Sequence, residues 1–278
     1  MRTAPTDFTS QEYYRDPAAS IEKLREAGPV IATRFPIVGR VWITTTYEAA
    51  GRVLKDSETF TLHKEGGGLG LPWWSTRLRG IVDEAFRRRA ILEMEPRILA
   101  IADELAGELF ADGSPADLVD RYARKLPLSV ICELLGLPLA DRPKFLAWAS
   151  TVSRITGSLL SFWHMMRGLS AMRPYLEQRL KAARNHGGEG LIAELVRVER
   201  EGGRISGDEM VAMVFLLLGA GSETTTHLIS GSVYELIKNS TLRDWLEEDW
   251  SRANLAVEEF LRFVSPVQFS KPRFVRND

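Results

Sequence analysis

Hydrophobic positions recur at intervals of three and four along most of this chain, a period that predicts amphipathic helices. Residues 16–27, "DPAASIEKLREA", carry that period and end at Gly28-Pro29, a stop signal. Two β-rich runs, "VIATRF" and "RVWITT", flank a turn from Pro36 to Gly39 and predict a small β region at about 28–45. "TYEAAGRVLKD" returns to helix, and the glycine-rich "HKEGGGLGLP", 63–72, reads as a mobile loop. From about Trp74 to residue 264 the pattern is helical. It comprises "STRLRGIVDEAF" with a cap at Ser75, "AILEMEPRILAIADELAGELF" up to Gly113, and "DLVDRYARKLPLSVICELLG" ending at Gly136. Two further helices fall within 141–157 and 160–185, followed by "GLIAELVRVEREGG". Ser206 and Glu209 have capping-box spacing at the head of a long apolar helix that runs to about Asn239. "NLAVEEFLRFV" and the extended "KPRFVRND" come last. No linker divides the chain, so the pattern predicts one mainly α domain over 1–278 with a small β-sheet.

The long helix breaks its own pattern. Met210 to Leu218 is almost continuously apolar, and then "GAGSETTTH" places two glycines, an acid and three threonines at its centre. Glycine costs a helix interior about 1 kcal/mol against alanine, and threonine is a poor helix former. Leu217, Ala220, Thr224 and Leu228 share one face, which is apolar except for the Thr224 hydroxyl beside Glu223. Two readings stand. In one, Gly219 and Gly221 permit close helix packing and the threonines bond to local carbonyls. In the other, the glycines clear room for a ligand next to a polar notch suited to moving protons.

Composition narrows the class. The 278 residues are 45% hydrophobic and 26% charged with a formal net charge of −1, the profile of a globular protein without a field for nucleic acid or an anionic membrane. No secretory signal or apolar run of about 20 residues is present, so no membrane anchor is expected. Cys132 is the only cysteine, which fits a reducing, cytoplasmic setting. Phosphate-loop, dinucleotide, H-E-x-x-H and G-x-S-x-G patterns are all missing.

Several segments, taken together and in order, carry a resemblance. "AGSETT" at 220–225 resembles the central motif of the haem-thiolate monooxygenases, the cytochrome P450 superfamily, written A-G-x-[DE]-T-[TS]. "AVEEFLR" at 256–262 resembles their E-x-x-R helix, with Glu259 and Arg262 in the paired positions. "STRLRGIVDEAF" is similar to their H-T-R-L-R-x-x-V-x-x-A-F, and "DSETF", "VICELLG" and "KPRFVRND" match further segments in the same order.

The resemblance implies haem, held below by a cysteine thiolate, with a small lipophilic substrate and dioxygen above it and electrons from a ferredoxin-type donor. It makes Thr224 the alcohol and Glu223 the acid that deliver protons to oxygen, while Ala220 and Gly221 leave room for it. Arg79 and Arg273 match the arginines that meet the haem propionates. Ser75 stands where the family has a histidine, which weakens one such contact. Arg87, Arg88 and Arg89 offer a basic patch for an acidic electron donor, or simply a solvated helix end. The ligand cysteine is expected in a loop beyond Arg273, and the 278 residues stop at Asp278. Cys132 lies in an apolar helical stretch, where a cysteine behaves as a small hydrophobe. The expectation is therefore a cytochrome P450 fold lacking its C-terminal part, inactive alone. The alternatives are a non-catalytic helical binding protein or one half of a split enzyme.

Overall fold

The computed structural model describes residues 10–35, 39–62, 93–111, 113, 115–141, 143–144, 147–148, 159–188, 190–200, 207–267, 269–270 and 272–276. The glycine-rich segment 63–72, the helix with Ser75 and Arg79, Arg87 to Arg89, most of 141–157 and the Ser206 cap lie outside them. Contacts divide the chain into two compact units. The first takes residues 1–72, 156–159 and 270–278, and the second takes 73–155 and 160–269.

In the first unit, local chemistry sets each boundary. The Ser10 hydroxyl accepts from the Tyr13 amide at 3.2 Å to start α1 (Gln11–Arg15), and Asp16 accepts from Ala19 at 2.9 Å to start α2 (Pro17–Ala27). Gly28 ends α2 at φ +133°, a conformation open to glycine. β1 (Val30–Phe35) and β2 (Gly39–Thr44) pair antiparallel, with Val30 opposite Thr44 and Phe35 opposite Gly39. Thr46 caps α3 (Tyr47–Lys55). A second two-stranded ribbon joins β3 (Phe60–Thr61) to β4 (Phe274–Val275). Tyr13, Leu24 and Ile31 form the core here, with Ala27 and Ile43 against them.

The second unit is helical: α4 (Glu95–Ala111), α5 (Lys125–Leu134), α6 (Leu159–His186), α7 (Gly190–Arg200), α8 (Gly207–Lys238), α9 (Ser240–Glu248) and α10 (Ala253–Val264). Its main core gathers Leu128, Ile131 and Cys132 of α5, Leu176 and Leu180 of α6, Leu195 of α7 and Met213 of α8. A second cluster joins Leu246 of α9 to Ala256 and Phe260 of α10, with Leu228 and Leu236 of α8 against it. Gly190 opens α7 at φ +80°, and a Cβ there would lie 2.5 Å from the Gly136 amide nitrogen, so the α7 start meets the α5 end backbone to backbone.

One expected helix differs. The stretch 117–136 is not continuous α-helix, because Val119–Ala123 forms a π-turn before α5 begins. The bond that closes it runs from the Arg124 amide to the Val119 carbonyl at 3.0 Å, and just beyond it Pro127 has no N–H to offer the Ala123 carbonyl.

Candidate active site

The polar centre of the long helix does not interrupt it; α8 is helical from Gly207 to Lys238. Along this stretch hydroxyls turn back onto the carbonyl four residues earlier. Thr225 donates to Gly221 at 2.9 Å, Thr226 to Ser222 at 2.7 Å, Ser230 to Thr226 at 2.7 Å and Ser232 to Leu228 at 2.7 Å. Each hydroxyl thereby finds an acceptor within its own helix.

Glu223 and Thr224 are both half-buried. Leu217, one end of the Thr224 stripe, packs on the main core, and Leu228, the other end, packs on the α9–α10 cluster. The alcohol thus lies between the two apolar clusters of its unit. Ser222 and Thr226, on the opposite side of α8, are buried, while Thr225 and His227 are exposed. A Cβ on Gly221 would lie 2.9 Å from the Ile131 Cδ1, so this glycine admits α5 to close contact. The packing reading of Gly221 therefore has a named partner. Ala220 lies in α8 one turn before Thr224.

Of the remaining predicted residues, Ser75 and Arg79 lie outside the described residues. Arg273 is half-buried just ahead of β4, in the first unit. Glu259 and Arg262 do pair, at 2.7 Å from Nε, but both are more than half exposed. The guanidinium holds the Glu259 carboxyl below its ordinary value, with the hydrogen bond as the main cause. Cys132 is fully buried in the main core. Among the described residues no cluster of three or more His, Cys, Asp or Glu is arranged to hold a metal, and no helix is long and apolar enough to cross a membrane.

No family model matches the chain. Over 293 residues it is 36% identical to the vitamin D(3) 25-hydroxylase of Pseudonocardia autotrophica, covering 99% of this chain and 71% of that protein. It is 31% identical to cytochrome P450 105C1 of a Streptomyces species, over 100% of this chain and 72% of that protein. The chain belongs to the cytochrome P450 family. The solved cytochrome P450 PksS of Bacillus subtilis 168 superposes with a TM-score of 0.85 at 27% identity, covering 94% of this chain and 70% of that one. The chain spans 71% of the length of the first of these relatives, and as little as 46% of another, cytochrome P450 107B1 of Saccharopolyspora erythraea.

Haem held by a cysteine thiolate is the cofactor of cytochromes P450. Thr224, with Glu223 next to it in sequence, offers such a group an alcohol and an acid on α8. The sulfur face finds no match in Cys132, which is enclosed by Leu, Ile and Met side chains.

Sequence reasoning missed one member of this neighbourhood. Thr226 also donates to the Ala123 carbonyl at 3.1 Å, a bond between residues 103 positions apart. The signal was Pro127, a proline within a helical run, which marks a carbonyl in need of another donor.

Proposed function

We propose that these residues form the oxygen side of a haem monooxygenase site, which hydroxylates a small lipophilic substrate with electrons from a ferredoxin-type donor. The observation that carries the reading is the placement of Thr224, half-buried between two apolar clusters with Glu223 beside it in sequence. Haem, when bound, supplies the iron at which dioxygen is reduced. Glu223 relays protons inward from solvent, and the Thr224 hydroxyl passes them on in a site poor in water. Ala220 keeps the turn before Thr224 slim, and the Gly221 backbone shares that turn. Arg79 and Arg273 are the cations assigned to the haem propionates, with Ser75 a weaker partner than the family's histidine. The axial sulfur is assigned to residues other than these 278.

A carbon monoxide spectrum tests the assignment. Given haem and reductant, this chain alone should show no thiolate-type Soret band, and a second polypeptide bearing a cysteine loop should restore it. A thiolate band from the chain alone would give the ligand role to Cys132. In the reconstituted protein Thr224→Ala should divert reductant to hydrogen peroxide, and Glu223→Gln should slow oxygen consumption about 10²-fold, the lower range for loss of a general acid. Unchanged coupling in Thr224→Ala would remove Thr224 from this role.

A second reading, one half of a split enzyme, is favoured by apolar side chains that α8 and α10 leave exposed, Ile237 at 70% and Phe263 at 61% among them. Exposed apolar groups in such number mark surfaces that take a partner.

A further inference from the structure

Ala123 is fully buried, so no water reaches its carbonyl oxygen. The residue four positions on, whose amide would serve that oxygen in an α-helix, is Pro127. The Thr226 hydroxyl donates to it at 3.1 Å across the contact between α8 and the π-turn. The same hydroxyl lies 2.7 Å from the Ser222 carbonyl on its own helix, a shared, three-centre arrangement. The two acceptors are not equivalent. If α8 turned about its axis, Thr226 would keep Ser222 as a partner, but the Ala123 carbonyl would lose its bond from α8. The penalty for rotation therefore falls on the π-turn.

Thr226 lies two residues beyond Thr224, about 200° round the helix at 100° per residue. A fixed point on that side sets where the opposite side faces. We propose that Thr226 is the positioning residue of this site: its hydroxyl, held by the carbonyl that Pro127 leaves without a helical donor, locks α8 in the rotation that presents Glu223 and Thr224. The inference rests on the proton-path reading of those two residues, but the lock itself does not depend on haem.

Three variants of the 278-residue chain test it, each followed by amide hydrogen exchange and by Tm. Thr226→Val keeps the shape and removes the hydroxyl, and should speed exchange in residues 222–230 at least tenfold relative to α6 and α7. Thr226→Ser keeps the hydroxyl and should retain native protection. Thr226→Val with Pro127→Ala restores an amide donor to the Ala123 carbonyl from within its own helix. That double variant should recover most of the lost Tm while residues 222–230 stay fast. Recovery of both together would reduce the bond to carbonyl satisfaction and overturn the proposal. So would unchanged exchange in Thr226→Val, or a Thr226→Ser protein as loose as Thr226→Val. In reconstituted holoprotein, Thr226→Val should release peroxide as Thr224→Ala does. Failure of the reconstituted protein to take up haem would count against the proposed function, with the exchange comparison still deciding the lock.

Discussion

Gly221 and Gly231 are both packing glycines of α8, but they face neighbours of different stiffness. A Cβ on Gly231 would come within 2.5 and 3.0 Å of the two Val264 methyls. Valine is β-branched and confined to one rotamer in a helix, so neither methyl can retreat. A Cβ on Gly221 would press chiefly on the terminal methyl of Ile131, which can swing aside. Gly231→Ala should lose more by overpacking, about 1–3 kcal/mol, than the roughly 1 kcal/mol that alanine gains in helix propensity. Gly221→Ala should fall near zero on the same balance. Urea unfolding of the two variants measures the contrast, and equal midpoints would refute it. The acid–alcohol pair was legible in the sequence because it broke a hydrophobic run. What each glycine faces was not, since Ile131 and Val264 reach α8 only through tertiary packing.

At the scale of elements, the helices with local caps and clear periods could be read directly: α2, α3, α8 and α10 begin or end within a residue or two of their expected limits. Features that depend on a distant partner could not, and the clasp between Asp141 and Tyr175 is one. The Tyr175 hydroxyl donates to the Asp141 carboxylate across 34 positions, Lys144 adds a contact at 3.3 Å, and the Trp148 ring lies 5.5 Å from that of Tyr175. The bond from Tyr175 holds the Asp141 carboxyl below its ordinary 3.8, against the opposing effect of burial. Burial, then the same bond, raises Tyr175 above its ordinary 10.0. The signs follow by linkage. A lowered acid contributes stability that is full above its unfolded value of 3.8 and is lost as pH falls through the folded value. A raised phenol contributes stability that is full below 10.0 and is lost as pH climbs beyond it. Tyr175→Phe should therefore cost about 1.5 kcal/mol at neutral pH, the lower range for a hydrogen bond to a charged group. It should also flatten both the acid and alkaline limbs of a Tm–pH curve; limbs identical to those of the parent would discount the clasp.

For the whole molecule, family and helical architecture were both legible, because six short motifs, each weak alone, came in the family's order. The division into two compact units was not marked by any linker, since the first unit is assembled from three separated stretches of chain. Nor could the sequence say that the Glu259–Arg262 pair would lie at the surface here, as its i, i+3 spacing is the same in either setting. The enclosure of Cys132 has a practical use beyond excluding it as a ligand. As the sole thiol of 278 residues, shut inside the helical core, it is a built-in reporter of core opening. Alkylation should be negligible in the native chain and become fast at the denaturant concentration where helicity is lost. Labelling that runs ahead of the loss of helicity would reveal a core that breathes before it melts.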